Sequence, residues 1–510
     1  MNNKEIVDEE QERLEEYKKI LSANPACAKA AAACIARYPA IEDQEYLMVW
    51  APALIEFTSW LIEKAKEQGI RRLYFLARDA YPMYLAASML IKASQSTDEQ
   101  QPAIDCRYLK VSRYALRIPE YHLRGKECLD QVFFIGIDVT LRKIFRRAAL
   151  TENEIDQVCQ EMNCRDRLDT VLNRKEIYEL REEFKTRSKL IYKYIYEHSK
   201  EKYDNCLGYL RQEGMLDETP WAVVDSGWIG TIEKSIRNIL AVQKKDIHVH
   251  GYYFGLYELP PDTEGCTYEA YYFNPKGSTI KKMNFSNCLY EVVYTQAKPM
   301  VKAYTKNTQG GISYEPVYSD IENPNSVQIE RNTGLLKEFI EAYIEQRKKL
   351  YTQKVVKQNT QVATQRNTQE EAQRNTQETA QRNTQEAVQQ NTQEAAHEFQ
   401  HVAEKLYTLL MANPTRWEAR YYGNFLFSDD ICDEHNQSTA NQLTEQEVKD
   451  LGAISKLLIA AGISKKKIHE SAWIEGTIVN LNKSVRANMR RAKRAKYLTH
   501  LRQSIKAVKR

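Results

Sequence analysis

Apolar positions in this chain recur with two periods, and the alternation of those periods predicts the architecture. Residues 45 to 69, EYLMVWAPALIEFTSWLIEKAKEQG, carry apolar side chains at helical spacing, and Gly69 is placed to stop that helix. A short apolar run at 72–77 then predicts a buried strand, and the helical period resumes after it to about residue 93. CRYLKVSR (106–113) and WAVVDSG (221–227) predict two further strands, and a helix is expected over 230–241. IHVHGYYFGLY (247–257) and YEAYYF (268–273) are rich in aromatic residues and predict two more. Helical patterns fill 125–213. Strands alternating with helices predict an α/β fold: a Rossmann-like, mainly parallel sheet with helices on both faces. A largely helical C-terminal region follows it.

Those patterns divide the chain. Residues 1–45 form an N-terminal helical segment, and 46–310 an α/β ligand-binding domain. Residues 311–357 form a helical region, which an octapeptide repeat at 358–397 interrupts with copies such as RNTQEEAQ, RNTQETAQ and QNTQEAAH. Eight residues make about 2.2 helical turns, so successive copies never align an apolar stripe. The repeat is expected to be a solvated helix or disordered. The helical pattern continues over 398–482, and 483–510 is a basic helix with Val485, Met489, Tyr497 and Leu501 at loosely helical spacing. Such a helix suits nucleic acid or an anionic membrane surface. A plain solvated helix docked by its apolar face is the simpler expectation.

Charge narrows the partners. A formal net charge of +4 over 510 residues is small, so nucleic acid is not the expected main partner. The N-terminus is charged throughout and has no apolar leader, and no apolar run approaches the ~20 residues needed to span a bilayer. The ten cysteines are scattered without paired spacing, which predicts reduced, mostly buried thiols and a cytoplasmic location.

The chemistry gathers where strands end. Three predicted strands terminate in Arg78-Asp79, Ser112-Arg113 and Asp225-Ser226-Gly227. In an open α/β sheet those carboxyl ends line the ligand crevice. AVVDSGWIGTIEKSI (222–236) delivers Asp225 to a strand end and opens a helix near Gly230-Thr231. A loop over 226–231 followed by a helix start suits a phosphate, and Asp225 suits Mg²⁺, a sugar hydroxyl or the role of base. A plain turn, with Asp225 bonded to backbone N–H groups, is the alternative. Arg78 and Asp79 are adjacent and point to opposite sides, so each needs its own partner, with Arg113 the expected partner of Asp79. HEFQH (397–401) fits the zinc-protease pattern in form, with Glu418 the only third ligand to suggest, but His397 fills a repeat slot that earlier copies give to Gln. His248 and His250 share a strand face, and a structural role is expected for them.

FLARD, YLKVSRYALRIP, VVDSGWIGT and LYEVVYTQAKPMVKAY (289–304), in that order, resemble bacterial predicted hydrolases of the haloacid dehalogenase superfamily associated with polysaccharide biosynthesis. The likeness is to the module that follows the dehalogenase-like domain in those proteins. It covers about 70–305, with weaker echoes at 413–430 and 472–478. Ala80 stands where that family has Gly, and no D-x-D-x-T nucleophile is present, since Gly227 occupies the place of a second Asp. The resemblance implies a glycan context. It points to Arg78, Asp79, Ser112, Arg113, Asp225, Gly227, Trp228, Gly230, Thr231 and Glu291. VVDSGWIGT is also similar in layout to the phosphate loop of type I phosphoribosyltransferases.

The function these readings predict is binding of a phosphorylated sugar or nucleotide sugar in bacterial cell-surface glycan synthesis, with transfer or hydrolysis of a phosphoryl or glycosyl group. Asp225 and Asp79 are the candidate catalytic pair. Arg78, Arg113 and the 226–231 loop would hold phosphate. The alternatives are a non-catalytic accessory protein that docks a glycosyltransferase, and a phosphoribosyltransferase-like enzyme.

Overall fold

The computed structural model describes residues 3–95, 104–136, 138–309, 311–367, 402–428, 432, 436–450, 452 and 471–509. The chain forms two compact units. One comprises Met1–Gly69, Pro82–Ile104 and Glu330–Thr415, and the other Ile70–Tyr81, Asp105–Ile329 and Arg416–Arg510.

The first unit is helical. Its principal helices are α1 (Asn3–Leu21), α2 (Pro25–Ile35), α3 (Ala51–Glu67), most of α4 (Tyr81–Gln95) and most of α11 (Ser326–Asn367). The helix expected from 45 opens as a π turn, Tyr46–Trp50, and Gly69 follows its end with φ of 68°. Trp50, Leu54, Phe57 and Leu61 are buried, as are Leu336, Phe339, Ile340 and Tyr343 of α11. Arg331 reaches the buried Asp43 at 2.6 Å, which compensates a carboxylate that burial alone would penalise.

The second unit is built on five strands, β1 (Arg72–Leu76), β2 (Asp105–Leu109), β3 (Trp221–Trp228), β4 (Val249–Leu256) and β5 (Cys266–Phe273). They lie in the order β2-β1-β3-β4-β5, and every pairing is parallel. The α/β Rossmann-like class expected from the periodicity is therefore the one observed. β1 reads RLYFL, almost continuously apolar, because both faces of a central parallel strand are buried. Tyr74, Leu76, Trp221, Val223 and Val249 pack on one face beneath α5 (Arg113–Arg124), α8 (Leu190–Gln212) and α9 (Thr231–Ala241). On the opposite face Phe254 meets Phe285, and Tyr290 of α10 (Asn287–Val293).

The crossover from β2 to β3 is a helical subdomain rather than a single helix. It includes α6 (Glu152–Met162) and α7 (Arg174–Arg187), and its own apolar core contains Phe133, Phe145 and Phe184. Two strand boundaries differ from expectation. β2 stops at Leu109, and Ser112 caps α5, accepting from Ala115 N at 2.9 Å, so Ser112-Arg113 opens a helix. β3 runs on through Trp228, because Gly227 pairs with Gly255 and Trp228 with Leu256. A hairpin, β6 (Val301–Asn307) and β7 (Ser313–Tyr318), was not expected, and a two-residue pair, β8 (Leu426–Phe427) and β9 (Gln437–Ser438), lies further on. The C-terminal part otherwise carries α12 (Arg416–Gly423), α13 (Ile474–Leu481) and α14 (Val485–Lys509). The last 30 residues of the octapeptide repeat and the HEFQH segment lie outside the described residues.

Candidate functional site

In a sheet of this order the chain departs from β1 to one side and from β3 to the other, so their carboxyl ends flank the topological switch point. β1 delivers Arg78 and Asp79 there, and β3 delivers Asp225 and Ser226. A cavity of about 90 Å³ opens beside them. Arg78, Asp79, Arg113 and Glu291 line it, together with Asn323, Asn325 and Ser428.

Two direct contacts join this lining to β3. Ser226 Oγ lies 3.4 Å from Asp79 Oδ2 and donates to it. Trp228 donates its indole N–H to Glu291 Oε1. The indole is itself gripped by Tyr257, Phe273, Phe285 and Tyr290, which fixes the donor's direction. Glu291 comes from α10, whose N-cap Ser286 accepts from Leu289 N at 3.3 Å.

Two carboxyl groups and two guanidinium groups thus line one small volume, and the Asp225 carboxyl feels the charges of Asp79 and Arg113. Burial pushes the Asp225 carboxyl up to about 7, and the Asp79 charge adds to the effect; the Ser226 and Gly227 N–H groups and Arg113 oppose it. Glu291 is pushed up to about 8 by burial, then by Asp79, against Arg113 and the Trp228 N–H. Both carboxyl groups are thus held well above the ordinary carboxylate range. Such a pair can both give and accept a proton.

The residues singled out in the sequence separate into two groups. Arg78, Asp79, Arg113 and Glu291 meet in the cavity, with Asp225, Ser226 and Trp228 directly behind. Four others serve elsewhere. Ser112 caps α5 and donates to Val301 O at 2.6 Å. Thr231 accepts from the buried Arg117 at 2.9 Å. Gly227 and Gly230 hold backbone geometry: each has positive φ, and an added Cβ would sit 2.5 Å from Gly255 O or 2.6 Å from the Tyr268 ring. The expected phosphate loop over 226–231 is consequently corrected. Residues 226–228 are strand, and the N–H groups of Ser226 and Gly227 are directed at the Asp225 carboxylate.

Asn323, Asn325, Ser428 and Asn436 were not foreseen. The turn holding the first two is tight: Asn323 Oδ1 accepts from Asn325 N at 3.0 Å, and Asn325 exchanges two hydrogen bonds with the backbone of Leu426, at 2.8 and 3.0 Å. ENPNS at 322–326 is a turn signature that could have pointed to them. His248 and His250 do not converge on a metal position; each turns to a separate partner on β5, Thr267 at 2.6 Å and Glu269 at 3.0 Å.

Asp79, Asp225 and Glu291 do not close within 4.8 Å of one another as a three-ligand cluster among the described residues. Mg²⁺ needs less, since it commonly takes one or two carboxylates and keeps its waters. Asp79 and Asp225 are the carboxylates that would hold it, because the Asp79 charge is the second cause, after burial, of the raised Asp225 carboxyl, and a cation would relieve that part. A scan against protein-family models returns no match for this chain, and a search of curated proteins returns none either.

Proposed function

We propose that the switch-point cavity binds the phosphoryl group of a phosphorylated sugar or nucleotide sugar, and that Asp225 acts on it as acid or base. The observation that carries this reading is the convergence of Arg78, Arg113, Asp79 and Glu291 on one cavity, backed by an Asp225 carboxyl poised near neutrality. A volume of about 90 Å³ suits a phosphoryl-sized group, with the rest of the ligand extending outward. Arg78 and Arg113 would hold its oxygens, each charge-assisted bond contributing roughly 1.5–3 kcal/mol. Asn323, Asn325 and Ser428 would orient the adjoining hydroxyl groups. Where Mg²⁺ takes part, Asp79 and Asp225 would hold it, and it would neutralise phosphoryl oxygens.

The glycan context, the bacterial cell-surface setting and a cytoplasmic location belong to this proposal too. The family resemblance supports the first two. Ten free cysteines suit a reducing compartment, and no helix among the described residues is long and apolar enough to cross a membrane. A phosphoribosyltransferase-type loop is less well supported, because the N–H groups of Ser226 and Gly227 are engaged by Asp225.

The test is a thermal-shift and turnover screen of the full chain with sugar phosphates, nucleotide sugars and phosphoribosyl diphosphate, with and without Mg²⁺. The proposal expects a saturable shift that Arg113→Ala abolishes, and turnover that Asp225→Asn removes while binding persists. Binding without turnover, with a glycosyltransferase retained in co-purification, would transfer the case to the accessory-protein reading. A flat panel would dismiss a phosphoryl site.

A further inference from the structure

Helix α14 stands apart from the switch-point cavity, and its two long faces are chemically different. The inner face is anchored. Lys496 pairs with the buried Glu475 at 2.8 Å, His500 stacks on Tyr257, Gln503 donates to Glu258 at 2.9 Å, and Ser504 donates to Gly277 O at 3.2 Å. Val485, Met489 and Ala492 join a small apolar cluster with Val448 and Ile478. The simple docked helix expected from the sequence is thus present, and the docking leaves the outer face fixed toward solvent.

That outer face is unusual. Leu498, Leu501, Ile505 and Val508 follow one another at intervals of three, four and three residues, which places them in a single stripe. Leu498 is 41% exposed, Ile505 48% and Val508 68%, with Tyr497 beside them at 40%. Val485–Lys509 contains nine Lys and Arg residues and no Asp or Glu, in a chain whose whole formal charge is only +4. Arg490 and Arg494 prolong the stripe toward the N-terminus, and Arg491, Arg502 and Lys506 are exposed along the flank. Arg486, Arg490 and Arg494 succeed one another at i, i+4, an arrangement that repels and weakens a helix in water. A helix selected only for solvation would intersperse acids.

We infer that the outer face of α14 docks the protein on an anionic lipid surface, with Leu498, Ile505 and Val508 entering the headgroup region and the arginines meeting lipid phosphates. The apolar stripe decides against nucleic acid, whose phosphate backbone would reward the arginines and gain nothing from an exposed Leu, Ile and Val. A second copy of the helix would bring like charges together along the same seam.

The experiment is co-sedimentation of the full chain with vesicles of phosphatidylcholine alone or containing 30% phosphatidylglycerol. Binding is expected only to the anionic vesicles and is expected to fall steeply with salt. R490Q/R494Q/R502Q should weaken it roughly 100-fold, at about 1 kcal/mol for each charge, and L498Q/I505Q should abolish sedimentation. All five positions face solvent, and an unchanged circular dichroism melt confirms that the variants fold. Equal binding to both vesicles, no binding, or indifference to L498Q/I505Q overturns the inference. Retention of a single-stranded oligonucleotide by L498Q/I505Q, with no vesicle binding by the parent chain, would show the helix to be a nucleic-acid surface instead.

Discussion

Replacing Asp225 by Asn should make the protein more stable, and increasingly so as the pH rises. The Asp225 carboxyl moves from an ordinary 3.8 to about 7 on folding. A group raised in this way favours the folded state fully below its ordinary value and loses that contribution as pH rises through the folded value. The window is therefore about pH 4 to 7. At about 1.36 kcal/mol per pH unit the loss is at most about 4 kcal/mol. Asp225 keeps partial solvent contact, and the amide offers one acceptor oxygen to the Ser226 and Gly227 N–H groups where the carboxylate offers two. The net gain for Asp225→Asn at pH 8 should then be about 1–3 kcal/mol.

Urea unfolding of both proteins at pH 4.5, 6 and 8, followed by far-UV circular dichroism, measures this directly. The two should nearly coincide at pH 4.5 and separate progressively to pH 8, with the variant the more stable. A constant deficit for Asp225→Asn at every pH would refute the reasoning. It would mean that the carboxylate is chiefly an acceptor closing the strand end, and the case for a poised acid would fall with it. The comparison needs no substrate, so it tests the electrostatics separately from the ligand.

Other perturbations probe neighbouring parts of the same construction. Trp228→Phe removes the only hydrogen bond described for Glu291, and should cost about 1–3 kcal/mol by urea unfolding at pH 9, where Glu291 is ionised, and less at pH 5. Gly227→Ala sets a Cβ 2.5 Å from Gly255 O at a φ of 108°, so a loss of about 1–3 kcal/mol is expected at all pH values, visible as a lower urea midpoint. Lys496→Met leaves the buried Glu475 without its cation and should cost up to about 3–5 kcal/mol, most of which Glu475→Gln in the same chain should restore in a thermal melt.

How much of this was legible in the sequence follows from which forces act locally. Apolar periodicity reports burial, so β1, β3, β4 and the helices after them were readable, and the convergence of their ends on one edge of the sheet followed from parallel topology. The β6–β7 hairpin escaped because its strands are half exposed: Lys302, Thr305, Lys306 and Glu315 dilute the alternation, although the sequence QGG at 309–311 was a usable signal. The extension of β3 to Trp228 escaped for a different reason. Gly227 reads as a loop residue, and only the close approach of the Gly255 backbone, which tolerates no Cβ, shows why glycine belongs inside a strand here.

The site divided along the same line. Charges at strand ends are local features, and Arg78, Asp79, Arg113 and Asp225 were found by asking why an apolar strand should finish in them. What the sequence could not supply was the surroundings that set their chemistry. Ser226 turns toward Asp79, Trp228 toward Glu291, and Asp225 has its neighbouring N–H groups, so residues expected to cradle a phosphate instead position the acids at the switch point. Burial first, and the Asp79 charge second, raises Asp225 and Glu291, and Arg113 opposes the shift without cancelling it. An arrangement that keeps buried acids near neutrality, at a cost to folding, is one expected where a proton or a ligand must be exchanged.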